Sequence, residues 1–193
     1  MREKDHVKGF SPEDINVSKA LETKTAQSRT ARTSTRRVAL AATLIGLAVA
    51  LSPIYFPAGD TKCFPAQHMV NALAGVLLGP WYAVFIAIAT GTIRIYTGMG
   101  TVFAYPGGVF GGLVVGLTYR YVKKTDYSAL LEPVGTVAIG ATLSALVVAP
   151  YIGNTMTLIY FWTAFAASSI PGAVLGFIVL KTLRRVGIDR YFD

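Results

Sequence analysis

The chain has 193 residues, a mean hydropathy of +0.50 and 15% charged residues, where an ordinary soluble domain carries about 25%. That balance excludes a typical water-soluble globular protein and leaves room for one apolar bundle with no second folded domain. The formal net charge of +8 would suggest nucleic acid in a soluble protein. Here the basic residues flank apolar stretches, so they read as membrane topology and no nucleic-acid partner is expected.

Residues 1–37 mix Lys, Arg, Glu, Asp, Ser and Thr with few large apolar groups. Such a segment buries too little apolar surface to offset its ordering entropy, and it reads as a disordered basic tail. Pro12 to Leu21 has the pattern of a short amphipathic helix, and Thr23 to Arg37 that of a mobile tether. No early apolar run marks a signal peptide, and no lipid-attachment signature is expected. The single cysteine, Cys63, excludes an intrachain disulfide or a thiolate metal cluster and reads as a small apolar filler.

Six apolar stretches follow. The first runs from about Val38 to Tyr55, just adequate for a hydrocarbon core of about 30 Å, which takes about 20 residues. A loop from Phe56 to Pro65 separates it from the second, Ala66 to Leu78. At about 1.5 Å per residue this second stretch reaches only about 20 Å. It cannot cross alone, so the preceding loop is expected to dip into the bundle, where irregular backbone survives only if it is buried or lines a cavity. Gly79-Pro80 makes a tight hairpin to the third stretch, Trp81 to Tyr96. The fourth spans about Val102 to Tyr121, the fifth Leu131 to Tyr151 and the sixth Met156 to Leu183, with Pro171-Gly172 expected to kink or open it. Glu132-Pro133 reads as the cap and first turn of the fifth helix.

Charge sets the orientation. Arg29, Arg32, Arg36 and Arg37 precede the first stretch, Arg120, Lys123 and Lys124 follow the fourth, and Lys181, Arg184 and Arg185 follow the sixth. With six spans all three clusters share one side, which the positive-inside rule makes the cytoplasm, with both termini there. The expected fold class is therefore an all-α membrane protein, a compact six-helix transmembrane bundle over residues 38–185, with 186–193 as a short cytoplasmic tail.

Polar residues inside such a bundle are costly and mark function or mutual pairing. Gln67, His68 and Asn71 lie together on the second helix at the outer end, since residues three and four apart share a face. Arg94 lies near the outer end of the third helix, where it either snorkels or meets a ligand. Aromatic side chains gather at the same level, among them Phe64, Tyr96, Phe103, Tyr105, Phe161 and Trp162, with Asn154 beside them. They form either an interfacial belt or the walls of an outward-facing pocket. Small residues recur at four-residue spacing: Ala42, Gly46 and Ala50; Gly108, Gly112 and Gly116; Gly172 and Gly176. Each stripe permits close helix approach, within the bundle or against another membrane protein. No P-loop, HExxH or GxSxG pattern occurs, so neither ATP hydrolysis nor membrane proteolysis is supported. No catalytic residue, metal or cofactor is expected.

The run Gln67 to Ala83 (QHMVNALAGVLLGPWYA), continued by Arg94 and by Phe103-Ala104-Tyr105-Pro106-Gly107, resembles the ThiW family over about Ala39 to Leu183. Members of that family are substrate-binding S components of energy-coupling factor (ECF) transporters. The resemblance implies the S-component fold with its site near the extracellular side. It implies a thiazole-type ligand, hydroxyethylthiazole, and a partnership with a transmembrane T subunit and two cytosolic ATPases. It also implies that Ala42, Gly46 and Ala50 dock the T subunit. The candidate ligand contacts are Gln67, His68, Asn71, Arg94, Tyr96, Phe103, Tyr105, Asn154 and Trp162. An autonomous solute carrier or a membrane-embedded enzyme are the competing readings.

Overall fold

The computed structural model describes residues 12–58 and 61–187, and the chain divides into two units, Met1–Val38 and Ala39–Asp193. Helix α1, Pro12–Ala50, contributes its first part to one unit and its last part to the other. The segment expected to be a disordered tether is thus helical from Pro12 onward. The reason lies in local preference: no Gly or Pro occurs between Pro12 and Gly46, and Ala, Glu, Lys, Gln and Arg fill much of the stretch. Threonine, a weaker helix former, turns its hydroxyl back onto the helix. Thr23, Thr25, Thr30 and Thr35 each donate to the carbonyl four residues earlier, at 2.8 to 3.0 Å. Residues 1–11, Gly59 and Asp60, and residues 188–193 lie outside the described residues.

The second unit is a helical bundle. α1 ends at Ala50, short of the expected Tyr55, because Pro53 cannot continue the hydrogen-bond ladder and disfavours helical backbone just before it. The stretch expected as an irregular loop is an antiparallel hairpin of β1 (Phe56–Ala58) and β2 (Thr61–Cys63), with Phe56 opposite Cys63 and Pro57 opposite Lys62. Cys63 is buried, and the next residue, Phe64, donates its backbone N–H to Ser168 Oγ at 3.2 Å. α2, Pro65–Leu78, is followed after one residue by α3, Pro80–Tyr96. Gly79 makes that reversal at φ 87°, a conformation that side chains strain against.

α4 spans Ala104–Leu117 and runs on through a wide turn, Thr118–Val122. α5, Asp126–Tyr151, starts earlier than the sequence suggested and contains two wide, π-type stretches, Val134–Ala141 and Ser144–Val148. α6, Leu158–Arg185, is continuous through Pro171, so the expected opening at Pro171-Gly172 does not occur. Gly172 serves packing instead: a Cβ there would collide with the Pro65 carbonyl and His68.

α2 packs most closely on α6 and α4, and α4 lies between α3 and α5. Glycines make that proximity possible. Cβ atoms at Gly108, Gly112 and Gly116 would press on Ala87, Ala83 and Pro80 of α3, and one at Gly111 would strike Glu132 and Thr136 of α5. The small-residue stripes of α4 and α6 are therefore used inside the bundle. That of α1 is not: Ala41, Leu44 and Ala48 are buried, whereas Ala42, Gly46 and Ala50 are exposed, and a Cβ at Gly46 would meet nothing within 4 Å.

The outward surface is apolar. Trp81, Phe85, Leu146, Val147, Ile159 and Ile170 are all exposed, far beyond the scattered apolar residues of a soluble surface. Asp126–Tyr151 and Leu158–Arg185 are long and apolar enough to cross a membrane. At the ends farther from the hairpin, Asp126 binds Arg184 Nε at 2.6 Å and Lys181 Nζ at 3.5 Å, fastening the start of α5 to the end of α6.

Gly111→Ala should destabilise the bundle by about 1–3 kcal/mol, the usual consequence of overpacking a filled site. Gly46→Ala should leave stability unchanged or slightly raised. Thermal unfolding of the two variants in detergent checks the contrast.

Candidate functional site

At one end of the bundle the helices stop short of one another and enclose a cavity of about 750 Å³. At about 1.5 Å per residue, the 14-residue α2 extends only about 21 Å, less than a hydrocarbon core of about 30 Å. The remaining depth is taken by the hairpin, the 97–103 loop and the 152–157 loop, and these frame the hollow. Tyr55, Lys62 and Phe64 form one side; Gln67 and His68 enter from the first turn of α2, and Arg94 from the last turn of α3. Phe103, Gly107 and Gly108 come from the start of α4, Asn154 from the loop before α6, and Phe161, Phe165 and Ser168 from α6 itself.

The aromatic wall is a packed cluster. The Phe161 ring sits edge-on to Phe103 with centroids 4.8 Å apart, to Tyr160 at 5.7 Å and to Phe165 at 6.1 Å. Such edge-to-face pairs hold their rings in fixed orientation. Opposite them, Arg94 is 2% exposed and stacks its guanidinium 4.3 Å above Phe64. It donates from Nη2 to the Met99 carbonyl at 3.3 Å, while its buried Nε has no partner. Lys62 lies 4.6 Å above the Tyr55 ring.

A second polar centre lies against His68. Glu132 of α5 is fully buried, and its Oε1 receives His68 Nδ1 at 2.8 Å, Asn71 Nδ2 at 3.3 Å and the Thr136 hydroxyl at 2.7 Å. Thr136 also reaches the Gly107 carbonyl of α4 at 3.0 Å. The expected role of Glu132 as a helix cap is therefore corrected. α5 begins at Asp126, which places Glu132 inside the helix facing α2, in space that Gly111 leaves free. With Nδ1 turned to the carboxylate, Nε2 is the ring nitrogen of His68 left for other partners. Among the described residues no group of three or more His, Cys, Asp or Glu could hold a metal ion.

The structure brings five of the nine sequence-derived ligand candidates to the cavity wall: Gln67, His68, Arg94, Phe103 and Asn154. Asn71 stands off the wall and serves Glu132. Tyr96, two positions beyond Arg94, falls on the opposite helix face and is 88% exposed. Tyr105 turns aside to Thr92, with the two hydroxyls 2.9 Å apart. Trp162 points outward one residue after the inward Phe161, and its Nε1 donates to Thr142 at 3.0 Å. Sequence reasoning missed Phe165, Ser168 and the buried role of Glu132. The spacing of Phe161, Phe165 and Ser168 at four and three residues was the available signal.

An apolar-surfaced helical bundle hollowed at one end into an aromatic and polar cavity defines a membrane protein that holds a small molecule. The family model for "Thiamine-precursor transporter protein (ThiW)" matches residues 38–186. The chain belongs to the ThiW family and is thus a membrane protein of thiamine-precursor transport. No curated protein matches it in sequence.

Removing the Glu132 side chain strands His68, Asn71 and Thr136. Glu132→Ala should destabilise the bundle by about 3–5 kcal/mol, as for a broken buried pair, and Glu132→Gln by clearly less. Denaturation of both variants in the same detergent tests this ordering.

Proposed function

We propose that the protein is the substrate-capturing S component of an ECF importer, and that it binds the thiazole precursor of thiamin, hydroxyethylthiazole, without chemistry of its own. The observation that carries this reading is the cavity: an edge-to-face aromatic cluster at Phe103, Phe161 and Phe165 facing hydrogen-bonding groups on Gln67, His68, Arg94 and Asn154. A flat heterocycle stacks on such rings, and a hydroxyl arm finds partners among the polar groups. The Glu132–His68 contact supports it further, because an imidazole held by a carboxylate offers its second nitrogen in a fixed direction.

In this reading all six helices span the bilayer with both termini in the cytoplasm. The clusters Arg120, Lys123, Lys124 and Lys181, Arg184, Arg185 follow the ends of α4 and α6 opposite to those that open the cavity, which is the arrangement the positive-inside rule demands for an outward-facing site. The Phe56–Cys63 hairpin covers the ligand after entry. The exposed face of Ala42, Gly46 and Ala50 docks the T subunit, and two cytosolic ATPases drive delivery. Uptake then depends on those partners.

Calorimetry of the purified protein should show saturable hydroxyethylthiazole binding. Phe161→Ala and His68→Ala should weaken it by about tenfold or more, a loss of about 1.4 kcal/mol or greater, while Tyr96→Ala should have no effect. Absence of binding by folded protein would refute the ligand assignment. Uptake by cells that lack any T subunit would refute the ECF assignment.

A further inference from the structure

Arg94 poses a charge problem that the protein does not solve by itself. Its guanidinium is 2% exposed, yet its contacts are an aromatic face and one neutral carbonyl. Among the described residues the ion pairs are His68 with Glu132 and Asp126 with Lys181 and Arg184, and none includes Arg94. The described residues lining the cavity include Arg94 and Lys62 but no Asp or Glu. The Glu132 carboxylate on the far side of His68 holds His68, Asn71 and Thr136 on Oε1, and its Oε2 is buried without a partner. A buried cation without a counter-charge is strongly disfavoured in a low-dielectric interior, and Arg94 lines the cavity with its buried Nε lacking any protein acceptor.

We propose that the ligand supplies the missing charge: the cavity takes its thiazole as an anion bearing a phosphate monoester, with the phosphate at Arg94 and Lys62 and the ring at Phe103 and Phe161. This rests on the thiazole reading above and sharpens it. A guanidinium matches phosphate oxygens with paired donors, and Nη2, on the Met99 carbonyl, is the Arg94 nitrogen committed to a protein acceptor. A phosphate monoester carries about −1.5 to −2 charge near pH 7, so it balances two cations without calling on Glu132. A carboxylate substituent would satisfy Arg94 but leave Lys62 with a smaller share of charge. The ester is also the form of the molecule least able to cross a bilayer unaided.

The test titrates the purified full chain near pH 7 with hydroxyethylthiazole, with its phosphate monoester and with inorganic phosphate. The monoester should bind about tenfold more tightly than the alcohol, the size of one well-formed charged contact, and inorganic phosphate far more weakly than either. Arg94→Gln should shrink the monoester-to-alcohol ratio to within about threefold, and Arg94→Lys should restore part of it; unfolding temperatures of both variants confirm that they fold. Equal or tighter binding of the alcohol, or a ratio untouched by Arg94→Gln in folded protein, would overturn the anion proposal and leave the thiazole reading standing. Inorganic phosphate binding as tightly as the ester would also overturn it, since the ring would then contribute nothing. If neither thiazole binds, the underlying reading falls and the anion proposal with it.

Discussion

A carboxylate enclosed among apolar helices must be answered by the protein around it, and Oε1 of Glu132 is answered by His68, Asn71 and Thr136 together, while its Oε2 stays buried without a partner. Those contacts join α2 to α5, and the bond from Thr136 to the Gly107 carbonyl brings in α4. Much else follows from the space this requires. Gly111 has no side chain because Glu132 and Thr136 occupy its place, and Gly172 has none because the His68 turn of α2 presses against α6. The glycines along α4 and α6 thus read as the complement of a polar centre that needs the helices close. A buried ionic group of this kind is poor evidence for stability, yet its partners fix the register of one helix on the next.

The same centre orients the cavity. His68 has one ring nitrogen on Glu132 and its side chain on the cavity wall, so the register of α2 against α5 and the direction of a ligand contact are set by one hydrogen bond. The short α2 leaves the volume, the hairpin and loops close its sides, and the aromatic rings of Phe103 and α6 line it. Arg94 is the counterpart: a second buried charge, braced by Phe64 and Met99 but not neutralised by them. Each keeps one buried atom without a partner, Glu132 Oε2 and Arg94 Nε; Glu132 is held by three groups of the bundle, whereas Arg94 lines the cavity.

Much of the fold was legible from apolar runs and their breakers. Gly79-Pro80 marked the α2–α3 hairpin, and the shortness of α2 pointed to a site beside Gln67 and His68. Side-chain direction was less legible. Tyr96, Tyr105 and Trp162 sit at the right depth, but depth is a property of position along the helix and facing is a property of its rotation. Rotation is decided by packing partners that a single sequence does not display. Glu132 was misread because Pro133 resembles a helix start, whereas the helix begins at Asp126, anchored by Arg184 and Lys181 far along the chain. The polar first part of α1 buries little surface, yet its freedom from Gly and Pro favours a helix.

A structure of the purified protein in complex with hydroxyethylthiazole or its phosphate ester bears most directly on the central claim. The ring should lie against Phe161 and Phe103, within hydrogen-bond reach of His68, with the His68–Glu132 contact intact. A ligand bound on the lipid-facing surface, or a His68 ring turned away from Glu132 in the complex, would contradict it.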